Sequence, residues 1–457
     1  MVLAVRRYFL GVMKTSQFTL LFLAFASVAL GQESETWSLS FEEASTRALR
    51  NNALIDASFE EIEAAEQGLQ AAWGKYVPKV KVRSFLSALP EIKGDAVGGY
   101  TNTDLEGWGP FFRVQVTTTM PLYGFGQLKA IRDVARSERA AAFAQMRLVE
   151  QELVYQTHRA MEGWRLARSL GNILEEGRGY LQKARERLEE LEEEDSDDFD
   201  QIDLLKLRVY ESELVRRETE TAEGKIRAKE GLRLAMGASR GQEFQLKTWK
   251  LTMREFELTS LPEYQERARQ EQAELMGARA ELREREAEVD EARTKMYPSV
   301  GVDSYYRYSV APSVEDQLSP FSYDPYNMHE VGVGLTLSWD LNFGESIGRW
   351  NQSKALKRAA EYRYRDSVNK VYLQVAETMD QVVELRKLQA TNKKALKAAR
   401  AWLMAKSDLY DGGLCPLEEL NDALLSYFDR KIGYEQAVHD HNVAAAHLER
   451  LVGRVEK

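Results

Sequence analysis

Sulfur chemistry is almost absent from this chain. Its 457 residues hold one cysteine, Cys415, which excludes an internal disulfide, a paired-thiol redox centre and a thiolate cluster for zinc. Positive charge is in deficit, with 62 Lys and Arg against 72 Asp and Glu, a formal charge of −10. A nucleic-acid groove needs clustered excess Lys and Arg, so nucleic acid is not an expected partner. The histidines, His158, His329, His439, His441 and His447, lack ligand spacing, and on a helix His439 and His441 would splay apart. Neither an enzyme, a metal nor a cofactor is expected. Long apolar runs are also lacking. With a mean hydropathy of −0.46, the chain has no series of the roughly 20-residue apolar stretches that a polytopic helical membrane protein requires.

The one apolar run that is present lies at the start. Arg6, Arg7 and Lys14 precede Phe18 to Leu30, and Ala29-Leu30-Gly31 supplies small residues before Gln32, the form of a secretory signal over residues 1–31. No cysteine follows the cut, so a lipoprotein is not expected. With 44% hydrophobic residues, the remainder can build a sizeable core.

That remainder repeats its own order. A helical run from Phe41 to Tyr76 stops at Pro78, strand-like stretches follow at 79–89 and 111–122, and Tyr123-Gly124-Phe125-Gly126 breaks the chain. A very long helix is expected over 127–194 and a shorter one over 201–236. After a connecting segment at 238–261, the second half runs through a helix from Pro262 to Met296 and strands at 299–310 and 330–341. A long helix over 345–410 and a last one over 416–452 complete it. The halves, 32–237 and 262–457, read as a duplication with a period of roughly 220 residues, too long for a solenoid unit. Helices of about 67 residues reach roughly 100 Å at 1.5 Å per residue, so an elongated bundle is expected, with shorter helices stacked end to end beside each long one. Leu204, Leu207 and Leu214, spaced by three and then seven residues, suit coiled-coil-like packing.

Each strand stretch alternates over about ten positions, the length of a tilted transmembrane strand. In the fourth, Val331, Val333, Leu335, Leu337 and Trp339 face one way, toward lipid, against Gly332, Gly334, Thr336, Ser338 and Asp340. Aromatics near strand ends, Trp108, Phe111, Tyr123, Tyr297, Phe321, Tyr323, Tyr326 and Trp339, suit an interfacial girdle. Four strands cannot close a barrel, because open edges are not tolerated in lipid. Three chains would supply twelve strands around an open lumen. A small sheet on a soluble periplasmic coiled-coil scaffold is the competing reading, since its inner face alternates in the same way.

Several junctions carry a family resemblance across the mature chain. Leu39-Ser40-Phe41-Glu42-Glu43-Ala44, Tyr76-Val77-Pro78, Pro121-Leu122-Tyr123-Gly124-Phe125-Gly126 and Tyr410-Asp411-Gly412-Gly413 with Pro416-Leu417-Glu418-Glu419-Leu420 are together similar to the TolC-type outer-membrane efflux proteins. The resemblance implies a mainly α protein with a transmembrane β part, a homotrimer whose twelve-stranded barrel continues into a helical tunnel across the periplasm. It implies a passive duct working with a periplasmic adaptor and an inner-membrane transporter, for small-molecule efflux or type I protein secretion. It places periplasmic gate acids at Asp203, Glu419 and Asp422, and adaptor docking at the turn of Tyr410, Gly412, Gly413 and Pro416. Glu419 and Asp422 share a helix face three residues apart, where they would also complement the helix dipole. In the first half the acidic run from Glu192 to Asp200 replaces the family's turn; it lacks the glycine that a Ca²⁺ loop needs and reads as a solvated loop.

Overall fold

The computed structural model describes residues 36–453 apart from 95–101, 195–198, 256–257, 318, 320, 413 and 416. The expected signal, 1–31, therefore lies outside the described residues. The described chain opens with a short strand, β1 (Trp37–Leu39), and a helix, α1 (Phe41–Asn51). A capping box starts the helix: Ser40 Oγ accepts from Glu43 N at 3.2 Å, and Glu43 Oε2 accepts from Ser40 N at 2.8 Å. Lys247 also bonds Glu43, and this contact, aided by the Ser40 backbone, holds the Glu43 carboxyl down at about 2.

The helical run expected from Phe41 to Tyr76 is in fact two helices, α1 and α2 (Ala53–Gly74). Asn52 divides them. Its backbone is extended, its Oδ1 accepts from Leu54 N at 2.9 Å, and its Nδ2 donates to the carbonyls of Leu234 at 3.1 Å and Ala235 at 2.9 Å. β2 (Lys79–Lys93) and β3 (Asn102–Tyr123) both run beyond the expected 79–89 and 111–122. α3 (Gln127–Glu193) has 67 residues, and α4 (Gln201–Ala235) returns beside it. β4 (Phe244–Leu246) then pairs in parallel with β1.

The second half follows the same plan. α5 (Leu261–Glu271) and α6 (Ala273–Thr294) replace the single helix expected from Pro262 to Met296, with the break at Gln272. β5 (Ser299–Val310) has the expected limits, while β6 (Met328–Ser338) starts earlier than 330 and stops short of 341. α7 (Phe343–Asp411), of 69 residues, and α8 (Leu417–Leu451) finish the chain. Both long helices reach roughly 100 Å.

One close approach fixes how the shorter helices stack, and it occurs twice. Gly237, after α4, has φ +62°, and a Cβ there would lie 2.3 Å from the Asn51 carbonyl oxygen at the α1–α2 break. Gly453, after α8, has φ +78°, and its Cβ would lie 2.5 Å from the Glu271 carbonyl oxygen at the α5–α6 break. Only glycine takes this left-handed turn cheaply and lets the backbones meet. α4 and α2 thus succeed each other along α3, as α8 and α6 do along α7.

The core is concentrated at this middle level. Leu39, Met161, Trp164, Leu232, Met236 and Phe244 form one buried cluster, and Tyr264, Leu275, Val375, Val382 and Leu448 another. A buried polar network joins the halves. Asn442 Nδ2 donates to Glu162 Oε2 and to the Thr252 carbonyl, each at 2.9 Å, while Asn442 Oδ1 accepts from Arg254 N at 2.9 Å. Arg254 in turn grips Glu449 through two bonds, at 2.7 and 3.1 Å.

Candidate functional site

Two regions at opposite ends carry the unusual chemistry. At one end the strands form a single antiparallel sheet in the order β2-β3-β5-β6. Directly paired residues share a face, so register decides whether the alternation of each strand adds up. It does: Val82, Val116, Tyr306 and Val331 form one row across all four strands, and Arg83, Gln115, Arg307 and Glu330 form the next on the opposite face. One face is therefore mainly apolar, with Ser84, Thr118, Ser304 and His329 among its residues, while Lys79, Lys81, Arg83, Arg113, Asp303, Arg307 and Glu330 all fall on the other. On the apolar face of β6, Val331, Val333, Leu335 and Leu337 are 67–80% exposed, left uncovered by the described residues. On the polar face Arg307 pairs with Glu330 at 2.9 Å, and the Tyr305 hydroxyl donates to Glu330 at 2.8 Å. Among the described residues β2 and β6 each have one edge without a partner strand.

Aromatic side chains collect where the sheet meets the helices. Tyr123 and Phe125 rings lie 4.9 Å apart, Phe125 stacks on Tyr297 at 5.4 Å, and Trp339 meets Phe343 edge-on. Trp339 stands just past β6, where its indole N–H donates to the Met296 carbonyl at 3.1 Å. Phe111 and Tyr326 do not belong to any such belt. Phe111 is 4% exposed and packs against Tyr326 on the polar side of the sheet, because its place in β3 has the parity of Arg113.

At the far end lie the tips of the two long hairpins, α3–α4 and α7–α8. Asp200 caps α4 by accepting from Ile202 N at 2.8 Å. One turn on, Asp203 lies 3.4 Å from Lys206 Nζ, which also reaches Glu418 of α8 at 3.6 Å. The hydrogen bond to Asp203, with Glu418 behind it, pushes the Lys206 pKa up. Lys206 thus ties one hairpin to the other. Glu419 pairs with Lys406 of α7, which holds its carboxyl below the usual range, and Cys415 Sγ stands 3.7 Å from the same carboxylate. Lost hydration pushes the Cys415 thiol up, the reverse of what a nucleophile needs. Asp422 is exposed and makes no ion pair with a described residue.

The expected acids therefore differ in state: Asp203 and Glu419 are matched by lysines, and Asp422 is not. Lys206 was legible in the sequence as an (i, i+3) partner of Asp203. Lys406 was not, because it sits on another helix. Of the expected docking turn, Gly412 ends α7 and is exposed, and Tyr410 lines a groove of about 550 Å³ with Arg187, Leu403, Leu420 and Tyr427. Gly413 and Pro416 lie outside the described residues, as does the middle of the acidic run, 195–198. Among the described residues no group of three or more His, Cys, Asp and Glu is placed to hold a metal, and no helix is long and apolar enough to cross a membrane.

Comparison with known proteins follows this geometry closely. Residues 265–454, most of the second repeat, match the sequence profile of the outer membrane efflux proteins. The fold is similar to that of the Campylobacter jejuni CmeC outer membrane channel, at 13% identity and a TM-score of 0.76, covering 96% of this chain and 94% of that one. It is similar to the Vibrio cholerae outer membrane protein VceC, at 14% identity and a TM-score of 0.72 over 90% and 96% of the two chains. The open-state Neisseria gonorrhoeae MtrE outer membrane channel gives 14% identity and a TM-score of 0.71 over 90% and 88%. No curated protein matches the chain by sequence. The two-faced sheet and the paired hairpins stand beside these likenesses: residues 265–454 match the outer membrane efflux protein profile, and the chain as a whole shares the fold of the outer membrane channels.

Proposed function

We propose that three copies of this chain form a passive exit duct for efflux, a barrel in the outer membrane continued by a helical tunnel through the periplasm. The observation that carries the reading is the sheet: one face is mainly apolar along all four strands, the other carries the charges, and neither edge has a partner strand among the described residues. In lipid a free edge leaves unbonded backbone groups, so β6 of one copy pairs with β2 of the next until the sheet closes. Three chains give twelve strands, with Val331, Val333, Leu335 and Leu337 toward lipid and Trp339 at its border, and with Arg83, Arg307 and Glu330 toward the lumen. A soluble scaffold would instead hold this whole apolar face in water, against the usual limit on exposed apolar patches. The helices supply matching faces. Ile202, Leu205 and Val209 of α4 and Trp402 and Leu409 of α7 are exposed in one chain and meet across the copies of the trimer.

Three sets of acids surround the axis at the tunnel tip, where like charges resist closure and favour cations. Lys206 and Lys406 offset Asp203 and Glu419, so Asp422 sets the preference. An adaptor engages the turn of Tyr410, Gly412, Gly413 and Pro416, and an inner-membrane transporter supplies the energy; untwisting of the hairpins opens the tip. In planar-bilayer recordings Asp422→Ala should lower cation preference more than Glu419→Ala does. Equal selectivity of Asp422→Ala and the unaltered protein would remove this residue from the gate.

A further inference from the structure

We propose that Lys79, Lys81 and Arg83 of β2 form a basic band inside the barrel, repeated in each copy around it, that binds multivalent anions and draws anionic solutes out through the duct. The inference rests on the duct reading above and adds to it the chemical class of solute. The three residues occupy alternate positions of one strand on the polar face, so they climb from the helix junction in steps of about 7 Å. All three are exposed, and none is paired with an acid among the described residues. Register gives the reason. Opposite them in β3 stand Thr119, Thr117 and Gln115, which carry no charge.

The acids that share this face are already engaged. Asp303 of β5 accepts from the Thr336 hydroxyl at 2.5 Å, and Glu330 of β6 is held by Arg307 at 2.9 Å and by the Tyr305 hydroxyl at 2.8 Å. Asp340, past the end of β6, shares a pocket with Lys295 and Arg349. Arg113 adds a cation on the next row outward from Arg83. From the helix junction to that row the face sets Lys79, Lys81, Arg83, Arg113 and Arg307 against Asp303 and Glu330. In the closed barrel β2 lies beside β6 of the next copy, which presents Gly332, Gly334, Thr336 and Ser338 to the lumen, so that strand brings the band no unengaged carboxylate. Walls of low dielectric focus the field of such a band, and rings of Lys and Arg select anions in pores. Its sign is opposite to that of the tip acids, so the two act at different steps. The acids oppose anion entry while the tip is narrow, and the band draws anions onward once a partner has opened it.

Planar-bilayer recordings of the purified protein test this, with inositol hexakisphosphate as the probe. The probe should block the current of the unaltered protein. Each close charge contact is worth a few-fold even in water, so Lys79→Gln, Lys81→Gln and Arg83→Gln together should raise the half-blocking concentration by about tenfold or more. Lys81→Gln alone should raise it about threefold, and this milder variant decides the question should the triple variant not assemble. Lys370→Gln, at an exposed position of α7 paired with Asp366 at 2.7 Å, should leave the block unchanged. Absence of block in the unaltered protein, an unchanged half-blocking concentration in the band variants, or an equal shift in Lys370→Gln overturns the proposal. If the unaltered protein opens no current at all, the duct reading itself fails.

Discussion

Leu335→Arg should abolish stable assembly in the outer membrane, whereas Gly334→Arg, one residue away, should leave assembly nearly intact. Leu335 is 77% exposed on the apolar face, in register with Val302 and, beyond it, Met120. An Arg near the midplane of the lipid face of a barrel costs about 2–4 kcal/mol. Three copies bring three such charges into one barrel. Gly334 has the opposite parity, lies opposite Asp303, and has nothing within 4 Å of an added Cβ. Its arginine would enter water beside a carboxylate. The check is the amount of heat-modifiable, membrane-extracted protein for each variant. Loss in both, or in neither, would reverse the assignment of faces.

Gly237→Ala should lower the unfolding temperature of the purified protein clearly, while Gly179→Ala should leave it unchanged or raise it. Forcing a side chain into the left-handed conformation of Gly237 costs roughly 1–2 kcal/mol. The overlap with the Asn51 carbonyl adds to this and disturbs the Asn52 bonds that cap α2 and α4. Gly179 lies inside α3 with open space around its Cβ position, where alanine improves helix propensity by up to about 1 kcal/mol. Thermal unfolding in detergent measures both. A neutral Gly237→Ala would mean that the α4 terminus adjusts freely and that the stacked arrangement is not fixed there.

The long helices and the four strands were legible because their signals are local. Proline and glycine stop the runs, and the period changes from about 3.6 to 2. The alternation of β6 already separated Leu335 from Gly334. Register was not legible, since it depends on pairing between segments far apart; β3 meets β5 across nearly 200 positions, and their agreement in parity appears only in the folded sheet. The breaks at Asn52 and Gln272 were hidden for a related reason. The carbonyls that Asn52 satisfies belong to Leu234 and Ala235, 182 and 183 residues away. At the tip, the sequence marked the acids but not their compensation by Lys406.

Membrane fractionation, followed by the native mass of the detergent-extracted protein, decides between a shared barrel and a single chain. A shared barrel requires the protein in the outer-membrane fraction at three times the mass of one mature chain. A monomer released in the soluble periplasmic fraction would contradict the duct and leave the extended scaffold in its place.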